Sequence, residues 1–188
     1  MFRIISGKWK AKKIAAPKNF EVRPTTDFAK EALFSILENK FELEYCNVLD
    51  LFAGIGSISL ELGSRDCQDI TSVEMNAKHC AFIGATAHEL GMSLQINVIR
   101  SDVYDYLKKN RNRKQYNIVF ADPPFETDEK KYNELISLVL QNNYLKENGL
   151  LIIEHQTRNK LQHPNLQDTR KYGNVSFSFF KPNEVEVL

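Results

Sequence analysis

The stretch Asn47-Val48-Leu49-Asp50-Leu51-Phe52-Ala53-Gly54-Ile55-Gly56-Ser57 reads as a strand running into a glycine turn and then a helix. Gly54 and Gly56 permit a tight turn and a close approach of backbone to a ligand. Downstream the same alternation repeats, which is the sign of a parallel sheet covered by helices. Strands are expected at 47–53, 70–74, 95–100, 116–121 and 149–154, with helices at 57–64, 76–90, 103–110 and 130–142. The tail segments 168–173 and 175–181, joined around Gly173-Asn174, read as a closing antiparallel hairpin.

Upstream, Arg23-Pro24-Thr25-Thr26-Asp27 announces a helix, with Thr25 or Thr26 as N-cap. Phe28, Ala29, Ala32, Leu33, Ile36 and Leu37 fall on one helical face, and Lys30, Glu31, Ser35 and Glu38 fall opposite, up to an end near Asn39. Before it, Phe2 to Ile5 and Trp9 to Ala15 flank Ser6-Gly7-Lys8 as a hairpin would flank its turn. The chain thus divides into a basic arm (1–22) and an α/β domain (23–188).

A second stretch, Asn117-Ile118-Val119-Phe120-Ala121-Asp122-Pro123-Pro124-Phe125, is an apolar strand that stops at an acid, two prolines and an aromatic ring. The prolines cannot donate ladder hydrogen bonds, so pairing ends there and Asp122 is carried to the strand tip on a stiff backbone. Asp-Pro-Pro can be a plain closing turn. It can also bind the exocyclic amine of a nucleobase. Asp122 and the Pro123 carbonyl would each accept an N–H, favouring a pyramidal nitrogen, and Phe125 would stack on the base.

The glycine turn does not fit a dinucleotide well. Counting from Gly54, Ser59 stands where GxGxxG wants its third glycine, and Asp50 would repel a pyrophosphate. A carboxylate there suits a cation, and S-adenosylmethionine carries a sulfonium and an ammonium but no phosphate. Glu74, eighteen residues after Gly56, ends the next strand where an acid can accept both ribose hydroxyls. Asp102, followed by Val103 and Tyr104, is placed either to meet an adenine amine or simply to cap a helix. Glu154-His155 ends a strand on the active face, where it supports the site or packs.

Composition narrows the class. A hydrophobic content of 43% with 26% charged residues is that of a globular domain, without an apolar run of about 18 residues to cross a membrane. Cys46, Cys67 and Cys80 lack CxxC spacing and read as reduced packing residues of a cytoplasmic protein. The net charge of +1 hides an asymmetry: residues 1–31 hold eight bases against three acids, +5, which leaves −4 for the rest. A basic arm suggests a polyanionic partner, although a lysine-rich terminus can also be merely solvated.

DLFAGIG, VEMN, SD and DPPF, in this order, resemble the amino-group class I S-adenosylmethionine-dependent methyltransferases. The opening RIISGKWK, the RPTTDFAKEALFSIL helix, DLFAGIGSISLEL, DPPF and IIEH resemble more narrowly the bacterial guanine-N2 methyltransferases of small-subunit (16S) ribosomal RNA, the RsmD type. The resemblance implies a Rossmann-like, seven-stranded, mostly parallel sheet in the order 3-2-1-4-5-7-6, with helices on both faces and an N-terminal hairpin extension. It implies S-adenosylmethionine as donor and a guanine amine of small-subunit RNA, in an assembled or assembling particle, as acceptor. By position, Asp50, Phe52, Ala53, Gly54, Gly56, Glu74, Met75, Asp102 and Val103 would hold the donor. Asp122, Pro123, Pro124 and Phe125 would receive the guanine, and Arg3, Lys8, Lys10, Arg23, Thr25 and Thr26 would meet the RNA. Phe125 stands where this family more often has tyrosine, which keeps the stacking plane and removes a hydroxyl. A monomer without metal or membrane association is expected. Rival readings are methylation of DNA adenine or protein glutamine, and a non-catalytic RNA-binding protein on the same fold.

Overall fold

The computed structural model describes residues 1–17, 20 and 25–182. A hairpin of β1 (Phe2–Arg3) and β2 (Lys13–Ile14) leads to α1 (Asp27–Glu38). The alternation that follows is β3 (Asn47–Leu51), α2 (Ser57–Ser64), β4 (Asp69–Glu74), α3 (Ala77–Glu89), β5 (Ile96–Arg100), α4 (Val103–Lys109), β6 (Tyr116–Ala121), α5 (Glu129–Gln141) and β7 (Leu145–Gln156). The chain closes with β8 (Leu166–Tyr172) and β9 (Val175–Phe180), joined through Gly173-Asn174.

The seven long strands form one sheet in the order β5-β4-β3-β6-β7-β9-β8. Strands β5 to β7 are parallel, and β9 runs antiparallel to both β7 and β8. Counted from β3, this is the 3-2-1-4-5-7-6 order, and the order reverses between β3 and β6. That reversal is where an open α/β sheet leaves a crevice beyond its strand ends.

Period-two alternation divides the sheet into two cores. Val48, Ile70, Ile118, Leu150, Ile152, Phe177 and Phe179 pack against α1, α2 and α3. Leu49, Leu51, Val73, Val119, Ala121, Leu151 and Ile153 face α4 and α5. Asp50, Asp122 and Glu154 therefore all point to the α1–α3 side.

The hairpin differs from its expected form. Only two residues on each side pair, and Trp9 to Lys12 form turns that bond back through Ala11 N–H to the Ile4 carbonyl. Ser6-Gly7-Lys8 docks on the end of α2: the Lys8 N–H donates to the Ser64 carbonyl at 2.7 Å and the Trp9 N–H to Ser64 Oγ at 2.9 Å. Gly7 has φ +81°, and a Cβ there would lie 1.8 Å from the Ser64 oxygen, so only glycine fits. Phe2, Ile4 and Ile14 are buried in the same core as α1 and α2, which joins the arm to the domain.

Helix α1 also corrects the expected faces. Thr26 caps it, accepting from the Ala29 N–H. Phe28 is exposed, Phe34 is fully buried, and Lys30, assigned above to the polar face, is fully buried as well. Its ammonium donates to the Arg3 carbonyl at 2.6 Å and lies 3.4 Å from Glu61, which is equally buried. Glu61 also accepts the Ile5 and Ser6 N–H groups and pairs with Arg65, so the arm, α1 and α2 meet on one carboxylate.

Candidate active site

The turn after β3 is built from backbone that most residues avoid. Phe52 has φ +58°, Gly54 +55° and Gly56 +79°. The left-handed turn at Phe52 ends β3 at Leu51, two residues before the expected end, and a non-glycine residue there is held against its preference. A Cβ at Gly56 would come within 2.9 Å of the Ile83 side chain, so this glycine seats α2 against α3. Glu74 closes the turn, accepting the Gly54 N–H at 2.8 Å and the Asn76 N–H at 2.7 Å.

At β6 the Asp122 N–H donates to the Leu51 carbonyl at 3.3 Å, pinning the tip of β6 to the tip of β3. Pro123 and Pro124 then divert the chain into a turn closed by the Thr127 N–H on the Pro124 carbonyl, 2.9 Å. The β6–β7 register pairs Ala121 with Ile153, so Asp122 and Glu154 stand side by side on adjacent strands about 4.8 Å apart. Glu154 is buried and accepts from Thr25 Oγ1 at 2.7 Å.

Both motifs open into one cavity of about 570 Å³. Of the expected donor-site residues, Asp50, Phe52, Ala53, Gly54, Glu74, Met75, Asp102 and Val103 line it, while Gly56 acts from behind through the turn. Asp122, Pro123, Pro124 and Phe125 form another part of the same wall, and Thr25 and Glu154 are also on it. Asp102 serves as N-cap, with Oδ1 accepting the Asp105 N–H at 3.0 Å, and also lines the cavity. Tyr104 lines it too, its ring edge-on to Phe52.

The residues expected to meet RNA separate. Thr25 is on the cavity wall and Thr26 caps α1. Arg3 pairs with Asp27 at 3.0 Å beside the start of α1. Lys8 and Lys10 sit on the loop that docks at the far end of α2, and eight helical residues span about 12 Å. Arg23 lies outside the described residues. His155 is a packing residue, its Nε2 2.8 Å from Ser178 Oγ and its ring edge-on to Tyr132.

The electrostatics of the cavity are those of a cation trap. Burial pushes the Asp50 carboxyl up to about 7, with repulsion from Glu74 adding and hydrogen bonds from Ser59 opposing. Asp122 is held well above the usual carboxylate range, first by burial, then by Glu154 and Asp50. Lys131 is the one lysine or arginine on the described lining, and its ammonium is engaged by Glu134 at 2.9 Å. A bound positive charge would relieve this repulsion, whereas a pyrophosphate would worsen it.

Ser59, which stands at the would-be third glycine, donates to Asp50 and shares a 2.6 Å hydrogen bond with Ser72. It thereby ties α2 to β3 and β4. Glu154 and Thr25 as a pair were beyond sequence reasoning. The one available signal was Glu154's place two residues after Ile152, on the same face of β7, because the contact joins residues 129 apart.

A seven-stranded sheet of this order, with an acid-lined cavity at its switch point, defines a class I methyltransferase. The "Conserved hypothetical protein 95" family model matches residues 2–181. Ribosomal RNA small subunit methyltransferase D of Buchnera aphidicola subsp. Baizongia pistaciae is 35% identical over 184 residues, 95% of this chain and 90% of that relative. Its namesake in Haemophilus influenzae is 32% identical over 183 residues, 95% of this chain and 93% of the other. The solved structure of yhhF from Escherichia coli, described as a candidate methyltransferase, superposes with a TM-score of 0.80 at 29% identity, covering 95% and 96% of the two chains. The chain belongs to the ribosomal RNA small subunit methyltransferase D family.

Proposed function

We propose that this chain transfers a methyl group from S-adenosylmethionine to the N2 amine of a guanine in small-subunit ribosomal RNA, within an assembled or assembling particle. The observation that carries the reading is that the glycine turn of β3 and the Asp-Pro-Pro-Phe tip of β6 line a single cavity. The names of the relatives support the RNA class.

The donor, when bound, supplies an electrophilic methyl on a sulfonium. Glu74 would accept its ribose hydroxyls, Asp102 Oδ2 its adenine amine, and Val103, Phe52 and Tyr104 would pack the ring. Asp50 would favour its positive charge. Asp122 would accept one N–H of the guanine amine, the Pro123 carbonyl would accept the other, and Phe125 would stack on the base. These acceptors turn the nitrogen lone pair out of the ring plane towards the donor. Holding the reacting atoms in that geometry is where most of the rate would come from. The amine becomes acidic as the new C–N bond forms, and Asp122 takes its proton or passes it to water.

Glu154 favours guanine over adenine. Guanine presents N1–H beside its amine, a donor for a second buried carboxylate, whereas adenine presents a lone pair that a carboxylate repels. The test incubates the protein with labelled donor and unmethylated small subunits and maps the modified base. One labelled guanine N2 is expected, and replacing that residue by 1-methylguanine, which lacks N1–H, should abolish transfer. Label on an adenine, or on no RNA at all, would refute the reading.

A further inference from the structure

A second cavity, of about 260 Å³, shares Phe125 with the first and is lined by Phe125, Gln156, Thr157, Arg158, Asn174 and Val175. Its walls are tied together before any ligand arrives. The Thr157 N–H donates to the Asn174 carbonyl and Thr157 Oγ1 to the Gly173 carbonyl, each at 3.0 Å, so the segment after β7 is fixed to the β8–β9 turn. Arg158 is exposed and has no ion-pair or hydrogen-bond partner among the described residues, unlike Arg3, Arg65 and Arg170, which all pair with acids. Gln156 and Asn174 bring amide side chains, which can donate and accept to a base edge. Beyond Val175, its strand partner Tyr172 carries the exposed ring of Phe28 at 6.0 Å, edge to face.

We propose that this cavity receives a nucleotide adjacent to the target base, its base against Phe125 and its phosphate at Arg158. The proposal rests on the methylation reading above, because a base drawn into the first cavity must bring its neighbours to the rim. Phe125 is common to both cavities, so one ring would separate two consecutive bases. A pre-built wall, an unpaired guanidinium and an aromatic are the parts from which single-strand sites are made. The subsite would anchor the strand without touching the transferred methyl.

The experiment compares wild type with Arg158→Ala and Arg158→Lys on unmethylated small subunits and on an oligonucleotide spanning the mapped guanine. Steady-state methyl transfer, binding by fluorescence anisotropy across salt, and donor affinity are read in parallel. For Arg158→Ala, KM and Kd for RNA should rise about tenfold and kcat should stay within about twofold. Donor affinity should not change, and the salt slope should become shallower by about 0.7, one phosphate contact. Arg158→Lys should recover most of the slope. An abasic neighbour of the target should weaken wild type and Arg158→Ala by different factors if base and phosphate are held together. Unchanged RNA affinity and slope in Arg158→Ala overturn the subsite whatever the activity. A wild type that methylates no small-subunit RNA overturns the methylation reading instead, and anisotropy still decides the subsite.

Discussion

At the residue scale, the site depends on carboxylates kept in a place that resists their charge. Replacing Asp122 by Ala should leave donor binding within a few fold while slowing methyl transfer at least about a hundredfold, since its hydrogen bond and aim matter most at the transition state. Single-turnover rates at saturating donor check this, and near-wild-type turnover would remove Asp122 from the chemistry. Asp50 makes a prediction about pH. Its folded-state value, raised to about 7 from 3.8, means that the folded protein holds a proton the unfolded chain releases. Stability from this group is fully present below about pH 4 and is lost as the pH climbs to about 7. Asp50→Asn should flatten that part of the stability–pH curve in urea titrations at fixed ionic strength. The same deprotonation should make S-adenosylmethionine bind more tightly at pH 8 than at pH 6, and Asp50→Asn should abolish the difference in calorimetry. Asp50 and Asp122 were legible in the sequence as strand acids because a glycine turn follows the one and a proline stop follows the other. Glu154 carried no such mark.

At the element scale, strand and helix positions in the α/β domain follow from periodicity and were legible to within two residues, except that β7 starts at Leu145, four residues before the expected 149, where Leu145 pairs with Tyr116 ahead of a register shift. Leu51 ends β3 because Phe52 turns left-handed, which no side-chain pattern reports. The arm was the harder element. Its alternation of lysines with apolar residues suggests two long strands, but only two residues a side pair, and the N–H groups of Ile5, Ser6, Lys8 and Trp9 donate to α2 instead. Gly7 packs against the Ser64 carbonyl, and the Ile5 and Ser6 amides end on Glu61. Gly7→Ala should therefore cost about 2 kcal/mol or more, from the positive φ together with the clash. Urea unfolding of the variant measures it, and a cost within about 0.5 kcal/mol would mean that the arm does not dock this way. Lys30 shows why the helix faces were misread. Its neighbours predict a solvated lysine, yet a buried acid 31 residues away and the Arg3 carbonyl supply its partners. Burial lowers its pKa, and Glu61 opposes that shift.

At the scale of the whole molecule, the question is how far the RNA reaches. Thr25 is on the cavity wall, Arg3 pairs with Asp27 at the start of α1, and Lys8 and Lys10 lie at the far end of α2. If the RNA extends that far and meets about five phosphates, log affinity against log salt should fall with a slope of roughly −3.5 to −4.5. If it meets only the cavity rim, the slope should be near −1 to −2. Anisotropy titrations with small-subunit RNA across a salt series separate these, and the shallow slope would exclude the arm's outer lysines from the interface.

The sequence by itself determined the order of strands and helices, the two chemical motifs and the family, because hydrophobic period, glycine turns and proline stops act over a few neighbouring residues. Tertiary structure alone decided that both motifs share one cavity, that Glu154 stands beside Asp122 and that Lys30 is buried against Glu61. Each of these joins residues far apart in the chain, and their partners are chosen by strand order and helix docking, which no local pattern encodes.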